Sequence, residues 1–246
     1  MKVYKKLAIV CLILGIIACI AGIVLGAFNE INLLDVSNYA RKISFGKEVS
    51  INEELNLDRN MDLSLDIEAC NGEIAYYDGN TIKLEGNGIL KNYEFVRERN
   101  EIEVSLTGKT TGNFKLYIPR NYSFKEVDLD IDASKINVES IVCTSLDLDS
   151  SSSDIVLNRV DCCNTIEIDN NLGNLNYHDL LCNGLEIDNN AGNIVVVLRD
   201  KRENYRVNRD GNFSNINIAG DDSYNGYKLL EVETNLGNVD ISFKGE

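Results

Sequence analysis

Residues 166–177 are IEIDNNLGNLNY and residues 185–196 are LEIDNNAGNIVV, nearly the same line written twice at a spacing of nineteen residues. A catalytic motif is rarely duplicated at so short a distance, whereas one turn of a repeating scaffold has to be. Ile166 and Ile168 alternate with Glu167 and Asp169, and Leu185 and Ile187 with Glu186 and Asp188, the period of a strand with one buried face. A corner of Asn and Gly follows, residues that tolerate the left-handed backbone of a sharp bend. A second alternating stretch completes the unit, with Leu175 and Tyr177 in one copy and Ile194 and Val196 in the other.

The unit recurs along the chain. Leu146 and Leu148 lead into SSSSD at 150–154, Leu230 and Val232 lead into TNLGN at 234–238, and LDIEACNGEIAYY at 65–77 has the same form. Gly72, Gly173, Gly192, Gly211 and Gly237 mark the expected corners. Cys143, Cys163 and Cys182 each lie three residues before the next strand's first apolar residue, which predicts a stack of small apolar thiols inside the coil. A fixed period of about 20 residues with no helical pattern inside it predicts an all-β parallel β-solenoid, single-stranded and β-helix-like, with coils stacked about 4.8 Å apart. An antiparallel sandwich also uses short strands and Asn-Gly turns, but gives no reason for equivalent residues to return at constant phase. The regularity fails twice, at the basic run LRDKRENYRVNRDG (198–211), where Val207 aligns with Ile187, and at FSNINIAGDDSYNGYK (213–228).

Stacking aligns outward residues as well. Asp130 and Asp132, Asp147 and Asp149, Glu167 and Asp169, and Glu186 and Asp188 are expected to form two carboxylate columns, succeeded by Arg206 and Asn208 and then by Glu231 and Glu233. Like charges directly opposed across strands cost roughly 0.2–1 kcal/mol per pair. Three accounts fit such columns: solvated and screened surface charge, a ladder for divalent cations, or a surface for a cationic partner. No GGxGxD calcium repeat is present, so tight calcium binding is not expected.

Composition narrows the chemistry. The 246 residues include no Trp, one His, one Pro and two Met, little of the usual equipment for acid/base or nucleophilic catalysis. His178 beside Asp179 has no recognisable Ser or Cys partner, and the CC pair at 162–163 lacks the CxxC spacing of a zinc or redox centre. Tyr76 and Tyr77 fit strand packing better than a sugar site. No catalytic residue, cofactor or firm metal site is expected, and a net charge of −15 argues against nucleic-acid binding.

At the N-terminus, LAIVCLILGIIACIAGIVLGA (7–27) carries no charge and is long enough to span a hydrocarbon core of roughly 30 Å. Lys2, Lys5 and Lys6 precede it, which orients the N-terminus to the cytoplasm and the remainder outside. The alternative is a lipoprotein, since IIAC at 16–19 resembles a lipobox ending at Cys19. The expected organisation is a cytoplasmic segment 1–6, a transmembrane signal anchor 7–28, a stalk or short helix 29–57 and a repeat domain 58–246. Five cysteines lie beyond the apolar segment, an odd number that cannot all pair within one chain.

These units, a φxφ(D/E)xxxG(N/D/E)φxφ pattern, together with the strand FKLYIP (114–119) ending in the chain's one proline, resemble the bacterial putative-adhesin β-strand-repeat family, a domain of unknown function. The resemblance implies a membrane-tethered, non-enzymatic extracytoplasmic module in cell-envelope stress sensing or regulation, and brings no catalytic residues with it. An adhesin or structural envelope spacer is the alternative, and a glycan-active β-helix enzyme the remote one. Partner candidates are a cationic peptide, a membrane-protein partner and a cell-wall component.

Overall fold

The computed structural model describes residues 49–89, 92–107, 111–220 and 225–245, all within the compact unit Gly46–Glu246. The expected membrane segment, the Cys19 lipobox and most of the expected stalk lie outside the described residues. Among the described residues no helix is long and apolar enough to cross a membrane.

Fifteen strands form one hydrogen-bonded sheet: β1 Val49–Asn56, β2 Asp62–Glu68, β3 Cys70–Tyr77, β4 Thr81–Ile89, β5 Asn92–Glu98, β6 Glu101–Thr107, β7 Thr111–Pro119, β8 Phe124–Asp132, β9 Lys135–Val138, β10 Ile141–Leu157, β11 Val160–Cys162, β12 Thr165–Leu181, β13 Gly184–Leu198, β14 Tyr205–Ile218 and β15 Lys228–Phe243. A single 3-10 turn, Arg202–Asn204, interrupts them. The long strands β10, β12, β13 and β15 bend at the expected corners and, with β14, pair in parallel, in the solenoid-like manner the repeat predicted. Strand β1, ahead of the expected boundary at 58, already belongs to the sheet, where it adds antiparallel to β4.

The register stacks like on like. Leu146, Ile166, Leu185 and Leu230 form one column, and Leu148, Ile168, Ile187 and Val232 the next, all buried. Past the corner, Ile155, Leu175, Ile194 and Val239 do the same. Each such side chain contributes about 1.5–3 kcal/mol on burial, which is why the alternation persists where the outward residues vary.

At the corner itself the inward column turns polar. Ser150, Asn170, Asn189 and Thr234 are buried in register, with Asn170 Nδ2 donating to Asn189 Oδ1 at 2.8 Å and Asn189 Nδ2 to Thr234 Oγ1 at 3.2 Å. Outward amides ladder alongside, Asn238 to Asn193 at 2.8 Å and Asn193 to Asn174 at 3.0 Å. The amides thus satisfy one another, and Asn189 Nδ2 also donates to the Gly192 carbonyl at 3.3 Å, while Ser150 Oγ and Asn170 Oδ1 are buried with no hydrogen-bond partner among the described residues.

Two of the five expected corner glycines are misplaced. Gly173, Gly192 and Gly237 share a register position and have φ of 133°, 154° and 117°. Gly211 instead pairs with Thr234, and Ser214 occupies the position opposite Gly237. Gly72 lies within β3, where it makes room for the Phe114 ring; the left-handed residue of that coil is Ala69, with Ala133 and Ser152 playing the part in the following two.

Sequence order and stacking order part company at the C-terminal end. Strand β15 pairs with β13 on one side and with β14 on the other, so it is inserted ahead of the strand that precedes it in sequence, and β14 is the edge among the described residues. Near the other end, β2 lies between β6 and β8, again out of chain order.

Candidate functional site

The outward columns differ from the expected register by two residues at their start. Val127 stacks on Leu146, so Asp128 pairs with Asp147 and Asp130 with Asp149, while Asp132 falls opposite Ser151 at the corner. One column is then Asp128, Asp147, Glu167, Glu186, Glu231 and Asn208; the other is Asp130, Asp149, Asp169, Asp188, Glu233 and Asp210. Upstream, Asp66 continues the second column beneath Asp130. Arg206 and Asn208 do not follow Asp188: Glu231 and Glu233 do, and Val207 stacks on Leu230 rather than aligning with Ile187. The inserted β15 accounts for the order, and a two-residue offset of β14 accounts for the register, since Val207 joins the Leu185 column through Leu230.

Crowding of like charge shows in the acidities. Partial burial and then the neighbouring carboxylates Asp149, Glu167, Asp128 and Asp169 push Asp147 up to about 6. Burial and adjacent acids also raise Asp66, Asp128, Asp130, Asp169 and Glu186. A carboxyl raised in the folded state favours folding when protonated; that contribution is complete below the ordinary value of 3.8 and is lost as pH rises through about 6 for Asp147. Asp179 and Asp200 act in the opposite sense: burial alone would raise them, but ion pairs with Arg199 and Lys244, and with Lys228, hold them low, and their contribution fails only in stronger acid. Thermal melts are therefore expected to show a higher midpoint at pH 5 than at pH 7.5, with the difference shrinking in high salt. A midpoint that rises from pH 5 to pH 7.5 would contradict the repulsive ladder.

Around the corner, Asp130, Asp132, Asp149, Asp169 and Asp188 border a groove of about 320 Å³ whose floor holds Ser150 and Asn170. Three residues past the acids runs a second stripe: Leu172, Ala191, Leu236 and Phe213 are in register, and Leu172, Leu236 and Phe213 expose 49%, 52% and 86% of their surface. The sequence reasoning missed this apolar stripe, although the residue before each corner glycine carried the signal. Asn171 and Asn190 separate the two stripes, joined at 2.9 Å. Among the described residues no group of three or more His, Cys, Asp or Glu converges as a metal would require. The acids lie at strand spacing along a line.

The remaining candidates have structural roles. His178 is exposed, and its carbonyl accepts from Lys244 Nζ at 2.9 Å. Tyr77 bonds Thr81, and Arg120 covers the Tyr76 ring. The buried thiol column comprises Cys143, Cys162 and Cys182; Cys163, expected within it, is exposed because β11 ends at Cys162 and pairs that residue with Cys143.

Fold and surface together define an all-β repeat domain that displays an acidic stripe beside an apolar one. The chain belongs to the family described as Toastrack DUF4097, whose model matches residues 46–246, and the resemblance read from the repeats holds. Similar crystal structures include a putative cell adhesion protein from Clostridium sporogenes ATCC 15579, at 15% identity over 80% of this chain and 99% of that one with a TM-score of 0.42. A putative adhesin from Bacteroides fragilis NCTC 9343 is similar at 12% identity over 78% and 97%, with a TM-score of 0.46. No curated protein matches the chain.

Proposed function

We propose that the protein is a membrane-tethered, non-enzymatic extracytoplasmic binding module whose corner surface receives a cationic amphipathic segment, in the service of cell-envelope stress sensing or regulation. The observation that carries this reading is the pairing of the stripes: carboxylates at strand spacing run parallel to exposed Leu172, Leu236 and Phe213. An extended or helical basic segment with one apolar face would meet charge and hydrocarbon together, gaining on-rate from the first and residence from the second. The weakened acidity of Asp147 and Asp169 supports it as well, since a cationic partner relieves repulsion that the isolated domain retains. The tether rests on the uncharged segment 7–27 and its flanking lysines.

The test is titration of a Lys/Leu amphipathic peptide against the protein and against a variant carrying Asp149→Asn, Asp169→Asn and Asp188→Asn. Affinity is expected to drop at least ~10-fold in the variant and to weaken with salt in the native protein. Equal affinity for both proteins would dismiss the acidic stripe as a binding surface and leave the envelope-spacer reading. The variant should also melt higher than the parent, because it removes like-charge contacts worth about 0.2–1 kcal/mol each.

A further inference from the structure

The thiol column is set apart from every other column in the core by its chemistry. Cys143 of β10 and Cys162 of β11 are direct register partners in adjacent parallel strands, which places their Cα atoms about 4.8 Å apart, inside the range a disulfide spans. Both are buried, and their thiols share a hydrogen bond. Cys162 Sγ donates to the carbonyl of Thr144, the residue after Cys143, at 3.2 Å. Strand β11 is short, three residues followed at once by the bend at Cys163 and Asn164.

Cys182, third in the column, is the less suited partner. Its carbonyl is fixed by Lys228 Nζ at 2.7 Å and Tyr205 Oη at 3.4 Å, and burial pushes its thiol up to about 12. Cys143 and Cys162 are asymmetric instead: the shared bond and burial raise Cys143, while the bond from Cys143 lowers Cys162. That asymmetry divides the labour of thiol–disulfide exchange into an attacking sulfur and a resolving one.

We infer that Cys143 and Cys162 form a redox couple, oxidised by exchange with an external small-molecule disulfide to a bond that ties two layers of the sheet together. The Cys162 thiolate attacks one sulfur of the external disulfide, forming a mixed disulfide and expelling the first thiolate, which takes up a proton. Cys143 then gives up its proton and attacks Cys162 Sγ, forming the Cys143–Cys162 bond and expelling the second thiolate. The two protein thiols lose two electrons and two protons in total; the external disulfide gains them and leaves as two thiols. The bond closes a loop of about 20 residues that the reduced chain must otherwise order unaided. This inference is independent of the proposed corner surface.

The experiment incubates the full-length protein with glutathione disulfide, alkylates the remaining thiols after denaturation, and maps peptides by mass spectrometry. The expected product is a cross-linked peptide pair joining Cys143 to Cys162, with Cys182 alkylated, a melting temperature raised by about 5–10 °C, and full reversal by dithiothreitol. Cys143→Ser, or Cys143→Ala if the serine variant does not fold, removes the cross-link, and Cys182→Ser keeps it. Separate alkylation of Cys143 and Cys162 after oxidation, or a cross-link from Cys162 to Cys182, would overturn the assignment.

Discussion

Replacing Gly192 with alanine is expected to destabilise the protein by at least about 3 kcal/mol, enough to lower the urea midpoint visibly. At φ 154° a side chain is strained whatever space surrounds it. A Cβ there would also sit 2.2 Å from the Gly173 carbonyl oxygen of the neighbouring layer, a backbone atom that cannot swing aside. Gly237 repeats the arrangement, 2.0 Å from the Gly192 oxygen, so the glycines form a ladder in which each leaves room for its neighbour's carbonyl. Gly211→Ala is the contrasting variant. Its Cβ would meet the Ser214 hydroxyl and the Ile216 side chain, groups on the edge strand that can rotate, and its cost is expected to stay below about 1 kcal/mol. Equal costs at Gly192 and Gly211 would refute the assignment of the corner to the first alone.

Lys228→Met is expected to cost about 3–5 kcal/mol in the same measurement, since removing one member of a buried pair leaves the other charged and unpaired. The Lys228 ammonium, with a side chain only 7% exposed, lies 2.6 Å from an Asp200 carboxylate oxygen and donates to the Cys182 carbonyl. Methionine retains the stem and drops the charge. Adding Asp200→Asn to this variant should restore part of the loss, because the stranded carboxylate disappears with it. If the double variant is as unstable as the sum of the singles, the pair is not the unit that matters.

The corner and the core columns were legible in the sequence because they combine three signals in phase: alternation, the Asn-Gly bend and the constant spacing. What escaped were offsets of one or two residues. Asp128, Asp130 and Asp132 alternate so evenly with Val127, Leu129 and Ile131 that the acids alone do not select a register; packing Val127 on Leu146 does. Cys163 holds the sequence phase, yet Cys163 and Asn164 form a bend after β11, and the inward position falls to Cys162. Corners made by Ala69, Ala133 and Ser152 carry no glycine and so gave no local mark, although the backbone there is as left-handed as Asn or Gly would make it. Val207 was likewise displaced by two residues, joining the Leu185 column and not that of Ile187. The order of layers failed for a different reason: period tells which residues are equivalent, but nothing in a period tells which neighbour a repeat lies against.

That inverted stacking has a consequence for how the domain is completed during synthesis. In an ordinary repeat array, loss of the last unit trims one end and leaves the interior intact. Here β15, made after β14, belongs between β13 and β14, and among the described residues β14 pairs with no other strand. Until Phe243 has emerged, β13 presents an open edge and β14 lacks its template. Strand β15 acts as a keystone: a chain that stops before it leaves the β13 edge uncovered and β14 without its pairing strand, so such copies are marked by a sheet edge that β15 otherwise covers.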